Sequence, residues 1–160
     1  MLHRCSPWPL ALVAISLGSA TSVNALQRLA LDTAKCTMAR NGEQVPCHRL
    51  VLRQSDDHTL RIRIAGSSTS TTGSIRLTFV SRETTNNAAL QCNNQSCRLG
   101  TTTWKGRVTS GSWITFNNRG LPNGPSNAEL MTGECRISRK QVICDSQTAD
   151  GDVLRAEARL

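Results

Sequence analysis

Three neighbouring segments of the chain alternate apolar and polar side chains with the two-residue period of a β-strand. They are residues 48–53, 59–65 and 74–80, which read HRLVLR, TLRIRIA and SIRLTFV. Such alternation puts the apolar residues on one face of a sheet and the polar residues on the other. The pattern predicts three strands with an apolar inner face and an arginine-rich outer face.

The connections between these segments predict that consecutive strands pair as antiparallel hairpins. The first connection contains Asp56 and Asp57, and the second, residues 66–73, reads GSSTSTTG, which is typical of a flexible loop. We expect Leu52 opposite Leu60 in the first hairpin. In the second we expect Ile64 opposite Ile75. On the outer face this register pairs Arg49 with Arg63 and sets Arg63 beside Arg76.

Residues 104–116 read WKGRVTSGSWITF, which is typical of a further hairpin with a three-residue loop at 109–111. In that register Trp104, Val108, Ile114 and Phe116 face inward, and Trp113 faces outward beside Arg107. An outward Trp113 among cations is a candidate for stacking on a sugar or a base. Partial burial against a neighbouring element is the alternative.

The last third of the chain predicts more strands, at residues 130–137, 142–146 and 153–160. The final segment is also compatible with a short helix capped by Asp152, because Leu, Arg, Ala and Glu favour helices. Many short strands separated by turn signals predict an all-β fold, an antiparallel β-sandwich or small barrel built from hairpins. The strand pattern alone does not choose between sandwich and barrel.

Residues 114–124 read ITFNNRGLPNG. This segment resembles one found in minor pseudopilins of type II secretion systems. Members of that family also have a prepilin motif of the Gly-Phe-Thr-Leu-Ile-Glu type followed by a long helix, and this sequence contains neither. The resemblance therefore does not extend to a prediction of family membership.

Six of the seven cysteines follow the amino-terminal apolar segment, and an even number in a short exported chain indicates a disulfide framework. Pairing in sequence order puts each turn on a two-residue centre, of which Asn41-Gly42 is the strongest hairpin signal. Opposed residues of a hairpin lie close enough for a disulfide. The predicted disulfides are Cys36–Cys47, Cys92–Cys97 and Cys135–Cys144. No metal site is predicted, because a Cys-x-x-Cys motif is missing and only two histidines follow the apolar segment.

The amino-terminal residues predict a secretory signal peptide. His3 and Arg4 precede an apolar run, and Val23-Asn24-Ala25 fits the small-residue cleavage pattern. The apolar run is about half of the roughly 20 residues that span a bilayer, so a membrane anchor is the less favoured alternative. We therefore expect residues 1–25 to be cleaved and residues 26–160 to form a single domain without a transmembrane segment. The expected location is secreted or periplasmic, in an oxidising compartment.

The formal net charge is +8, and arginine greatly outnumbers lysine. Five arginines lie on the predicted outer face, and no acidic residue lies within those strands. Close arginines repel one another unless an anion lies between them, so an anionic partner is predicted. Acidic polysaccharide, lipid phosphate and other envelope components are the candidates, whereas export and scarce aromatic residues argue against nucleic acid. A charged face that prevents sheets from aggregating is the alternative. The predicted anion-binding residues are Arg49, Arg53, Arg61, Arg63 and Arg76.

No pattern in the sequence indicates a nucleophile with its base, paired catalytic carboxylates or a cofactor. We therefore expect an exported, non-enzymatic β-domain that binds an anionic polysaccharide or envelope ligand. One alternative is a structural or assembly subunit of the cell envelope or of a pilus-like system. Another is a protease-inhibitor-like module that uses the loop between Cys92 and Cys97.

Overall fold

The described residues of the computed structural model form eleven strands, and buried and exposed side chains alternate along most of them. The structure describes residues 27–55, 58–67, 73–85, 87–93, 96–126 and 128–160, so the predicted signal peptide lies outside the described residues. The strands are β1 (Arg28–Asp32), β2 (Lys35–Arg40), β3 (Glu43–Gln54), β4 (Thr59–Ser67), β5 (Ser74–Glu83), β6 (Leu90–Cys92), β7 (Cys97–Leu99), β8 (Trp104–Phe116), β9 (Glu129–Ile137), β10 (Gln141–Gln147) and β11 (Val153–Arg159).

Nine of these strands form one antiparallel sheet in the order β1-β3-β2-β11-β10-β9-β8-β5-β4. Because β3 also pairs with β4, eight strands close into a barrel and β1 is an extra strand beside β3. The prediction of an antiparallel all-β fold is confirmed. Between a sandwich and a barrel, which the sequence left open, the structure is a barrel.

Strand β3 closes the barrel because it pairs with both β2 and β4. Its first half pairs with β2, while its second half has β1 on one edge and β4 on the other. The change occurs at an irregularity between Cys47 and Arg49. The disulfide Cys36–Cys47, with 4.9 Å between its Cα atoms, joins β2 to β3 at this point.

The inward residues of the eight strands form one apolar core, in which Phe79, Leu50 and Ile62 are fully buried. Strands β6 and β7, which follow β5 and precede β8 in the chain, form a separate two-stranded sheet. Ala89 and Leu90, from the segment that carries this hairpin, are buried in the same core. Ala89 and Leu90 therefore attach the start of this segment to the barrel.

The three predicted disulfides and the predicted Asn41-Gly42 turn are confirmed. Sulfur atoms at bonding distance join Cys36 to Cys47, Cys92 to Cys97 and Cys135 to Cys144. The Asn41-Gly42 turn has positive φ at both residues, as the sequence predicted for this hairpin. The final segment is a strand, β11, and not a helix. Strand β1 was not predicted.

The predicted registers of the first two hairpins are wrong by two residues. Leu52 lies opposite Ile62 instead of Leu60, and Ile64 lies opposite Leu77 instead of Ile75. Each turn is centred one residue later than predicted, which moves every partner by two positions. A shift of two residues keeps each side chain on its predicted face.

The predicted hairpin at residues 104–116 is also wrong, because β8 is one continuous strand. Its pairing with β5 shifts by one residue at Thr109. This residue, between Val108 and Ser110, is an extra residue of β8 that has no partner in β5. A one-residue bulge exchanges the two faces of the strand beyond it.

Trp113 consequently lies opposite the buried Leu77 and packs against the core, so its predicted outward position is wrong. The inward positions predicted for Ile114 and Phe116 are wrong for the same reason: both follow the bulge in register with the outer residues of β5.

Gly66 provides a test of how closely β4 approaches β3 where the barrel closes. A Cβ atom at this position would collide with the carbonyl oxygen of Pro46 and would lie 2.7 Å from the terminal methyl of Met38. We expect Gly66→Ala to lower the free energy of unfolding by about 1–3 kcal/mol, the usual cost of overpacking. Urea unfolding measures the change. The adjacent exposed residue supplies the control, Ser67→Ala, and equal stability of the two variants would contradict the close contact.

The burial of the disulfides predicts the order in which they are reduced. Cys135 and Cys144 are 0% and 1% exposed, whereas Cys92 and Cys97 are partly exposed in the short β6–β7 sheet. Thiol exchange requires access to sulfur, so we expect Cys92–Cys97 to open first and Cys135–Cys144 last in the native protein. Alkylation during partial reduction, followed by peptide mass spectrometry, identifies the order. Early loss of Cys135–Cys144 would contradict it.

Candidate anion-binding face

The five predicted arginines lie on the outside of one wall of the barrel, made by β3, β4 and β5. We call this set, Arg49, Arg53, Arg61, Arg63 and Arg76, the arginine face. Arg61 and Arg63 are exposed and alternate with the buried residues Leu60, Ile62 and Ile64. The two-residue period of the strands is therefore what directs the guanidinium groups outward.

Cross-strand register brings some of these arginines together and separates others. Arg53 lies directly opposite Arg61. The predicted pairing of Arg49 with Arg63 is wrong, because Arg49 lies opposite Ala65. The structure adds Arg28 of β1, which lies opposite Arg53 on its other side. Sequence reasoning missed Arg28 because the short alternation of β1, RLALD, was not recognised as a strand.

Arg63 occupies the electrostatic centre of this wall. Although its side chain is exposed, partial desolvation of the guanidinium is the largest cause that lowers the pKa of Arg63 from its ordinary value. Positive charges on four neighbours lower this pKa further: Arg76, Arg61, Arg28 and Arg53. The strand registers place these arginines on adjacent strands of one wall, so like charges surround Arg63. An anion bound between them would remove that repulsion.

Arg76 is held in place by an aromatic ring. Its guanidinium carbon lies 4.4 Å from the centroid of Phe116, which is a cation–π geometry. Phe116 follows the bulge in β8 and lies opposite Ser74, and it is only 9% exposed. The ring therefore fixes one edge of the arginine face without neutralising its charge.

The opposite wall, made by β9, β10 and β11, has a different charge arrangement. There each of three arginines has a carboxylate partner: Arg155 with Asp145 at 2.7 Å, Arg136 with Glu134 at 2.6 Å, and Arg159 with Glu157 at 3.7 Å. Across the described ranges, no ion pair within 4 Å joins the arginine face to a carboxylate. Asp32 lies opposite Arg49 in register but forms no such pair with it. Within the described ranges, the arginine face therefore lacks the carboxylate partners that the arginines of the opposite wall have.

Each guanidinium carries five N–H donors in a planar fork that fits carboxylate, sulfate or phosphate oxygens. Several such forks on neighbouring strands offer a surface for multivalent anions. The arginine face lies on the outside of the barrel wall, so it presents this surface directly to solvent.

Trp113, the predicted stacking residue, lies elsewhere. It lines a cavity of about 140 Å³ together with Arg40, Glu129 and Asp152. Arg40 donates to Asp152 at 2.9 Å, and hydrogen bonds from Asn41 and Arg40 lower the pKa of that carboxyl. A stacking role for Trp113 stays a prediction, but it does not adjoin the arginine face.

Other candidate chemistry is sparse in the described part of the chain. No group of three or more His, Cys, Asp or Glu side chains there is arranged to hold a metal ion. His58 Nδ1 lies 3.7 Å from the buried carboxylate of Glu83. Among the same residues, none belongs to a helix with the length and apolar character needed to cross a membrane.

Comparisons with known proteins add little to this geometry. No family model matches the chain, and no curated protein matches it. One solved structure that is similar to the chain is a redesigned β-barrel, with 13% sequence identity and a TM-score of 0.45 over 79% of this chain and 86% of that chain. At that TM-score the similarity carries no argument about function.

Repulsion around Arg63 predicts that removal of its charge stabilises the protein. A lowered pKa means that folding disfavours the charged guanidinium, so Arg63→Gln is expected to raise the free energy of unfolding by about 0.5 kcal/mol at low salt. Salt screens the repulsion and should shrink the gain. Denaturant unfolding at low and high salt measures the gain in the free energy of unfolding and its decrease with salt. The control is Arg155→Gln, which loses an ion pair and is not expected to gain stability. Equal behaviour of the two variants would contradict the repulsion around Arg63.

Proposed function

We propose that this protein is an exported, non-enzymatic β-barrel that binds an anionic polysaccharide or another anionic component of the cell envelope. The arginine face supplies the binding surface. Its guanidinium groups hold carboxylate or sulfate groups of the ligand by charge-assisted hydrogen bonds.

The observation that carries the proposal is the contrast between the two walls. The arginines of β9, β10 and β11 have carboxylate partners in the fold, whereas those of the arginine face have none within the described residues. Mutual repulsion costs stability, and a bound polyanion would reverse that cost. Positive charge gathered in this way also increases the rate at which anionic ligands are encountered.

Three disulfides are consistent with an oxidising, exported compartment. Anionic polysaccharides and lipids are abundant at cell surfaces and in extracellular material, so the proposed ligand is chemically reasonable for such a location. The predicted signal peptide supports the same location.

Salt-dependent retention on heparin or another acidic-glycan matrix tests the proposal. We expect Arg61→Ser/Arg63→Ser to elute at clearly lower salt than the unchanged protein, because two adjacent guanidinium groups of the arginine face are lost. The matched control is Arg136→Ser/Arg155→Ser, which removes the same charge from the opposite wall. If both double variants elute together, net charge alone governs retention and the proposed site is wrong.

A further inference from the structure

Four adjacent strands of the barrel and the extra strand β1 each contribute one exposed or partly exposed arginine to a single row. The strands are β1, β3, β4, β5 and β8, and the residues are Arg28, Arg53, Arg61, Arg82 and Arg107. We call this set the arginine row. Arg82 and Arg107 do not belong to the arginine face, and sequence reasoning did not select them.

Strand register shows that the row runs directly across three strands and is then offset by two residues, about 7 Å along the strand. Arg28, Arg53 and Arg61 lie directly opposite one another on three strands. On the next strand the row is displaced by two residues: Arg61 lies opposite Val80, and the next arginine of the row is Arg82. Arg82 then lies directly opposite Arg107. The row crosses the strands and does not follow any one of them.

The spacing of the row suits a chain with regularly repeated charges. Neighbouring strands lie about 4.8 Å apart, so four steps from Arg28 to Arg107 cover roughly 19 Å of the curved wall. A small anion can contact only one or two of these guanidinium groups. A linear polyanion laid across the strands can contact all five.

The far end of the row lies beside an acidic residue of the neighbouring strand that pairs with another arginine. Glu134 of β9 lies directly opposite Arg107, yet its carboxylate accepts a hydrogen bond from Arg136 at 2.6 Å. Within the described ranges, no arginine of the row forms an ion pair within 4 Å. Among these residues, no carboxylate occupies the guanidinium groups of the row.

Two other polyanions fit the row less well. Single-stranded nucleic acid is usually held by aromatic side chains on which bases stack. The aromatic residues among the described part of the chain are Phe79, Trp104, Trp113 and Phe116, and none is exposed. A flat lipid surface cannot contact the whole row at once, because the row follows the curvature of the barrel.

We propose that the arginine row is a track for a linear acidic polysaccharide that lies across β1, β3, β4, β5 and β8. The proposal rests on the proposed function and adds to it the class of ligand, its direction on the barrel and two further contact residues. Arg82 and Arg107 hold the part of the polysaccharide that lies farthest from β1. Short oligosaccharides therefore do not need them.

Binding of a size-fractionated series of sulfated oligosaccharides tests this arrangement by calorimetry or fluorescence anisotropy. For the unchanged protein, affinity should rise with chain length until the chain spans about 19 Å and then level off. Arg82→Ser/Arg107→Ser should weaken binding of long chains about three- to tenfold, leave disaccharide binding unchanged and move the levelling point to shorter chains. Both residues are exposed, so their replacement is compatible with folding.

The matched control is Arg49→Ser/Arg63→Ser, which removes the same charge from positions outside the row. It should lower affinity by a similar factor at every length without moving the levelling point. If that control weakens binding but Arg82→Ser/Arg107→Ser does not, the row is wrong while the proposed function stands. If neither variant nor Arg61→Ser/Arg63→Ser changes binding, the proposed function itself is wrong.

Two further probes separate the classes of ligand. Vesicles of phosphatidylglycerol and a single-stranded oligodeoxythymidylate are tested at the same ionic strength. Weaker binding of both than of the long oligosaccharides supports a polysaccharide track. Tighter binding of either one, with loss in Arg82→Ser/Arg107→Ser, would overturn the assignment of the ligand.

Discussion

Pairing of β3 with β4 is the interaction on which the rest of the barrel depends. Without it the nine strands would form an open sheet with two long edges, which are prone to pairing with other chains. The Cys36–Cys47 disulfide and the close approach of Gly66 lie where the partners of β3 change. Once the barrel is closed, every strand has one face toward the core and one toward solvent. Binding by this fold then depends chiefly on how charge is distributed around its outer wall.

The faces of most strands could be predicted from the sequence, whereas their partners could not. Alternation identifies which side chains share a face, and it is unchanged when a strand slides by two residues. That is why Leu52 and Ile64 were correctly placed inside although both predicted partners were wrong. The disulfides were predicted because each hairpin is short and nearly symmetrical about its turn. The bulge at Thr109 was not predicted, because one extra residue within a polar stretch, TSGS, resembles a turn.

The candidate site was predicted in composition but not in arrangement. Five arginines could be assigned to an outer face from alternation alone. Their alignment across strands depends on register, and strands distant in sequence, such as β1 and β8, join the same wall only through the barrel topology. One ion pair of the other wall was equally inaccessible, since Arg155 and Asp145 lie on different strands and meet only in the correct register. The pairs Arg136–Glu134 and Arg159–Glu157 each join residues two apart on one strand, which alternation alone places on the same face.

The extra residue at Thr109 also constrains how this chain can change over evolution. Beyond that bulge, β8 places Trp113 against the core and Phe116 beneath Arg76. Loss or gain of a single residue in this stretch would exchange the two faces of half a strand at once, whereas a change of two residues would preserve them. Viable length variation in β8 is therefore expected in even steps, and the surface chemistry of this wall is coupled to the packing of its interior through one residue of chain length.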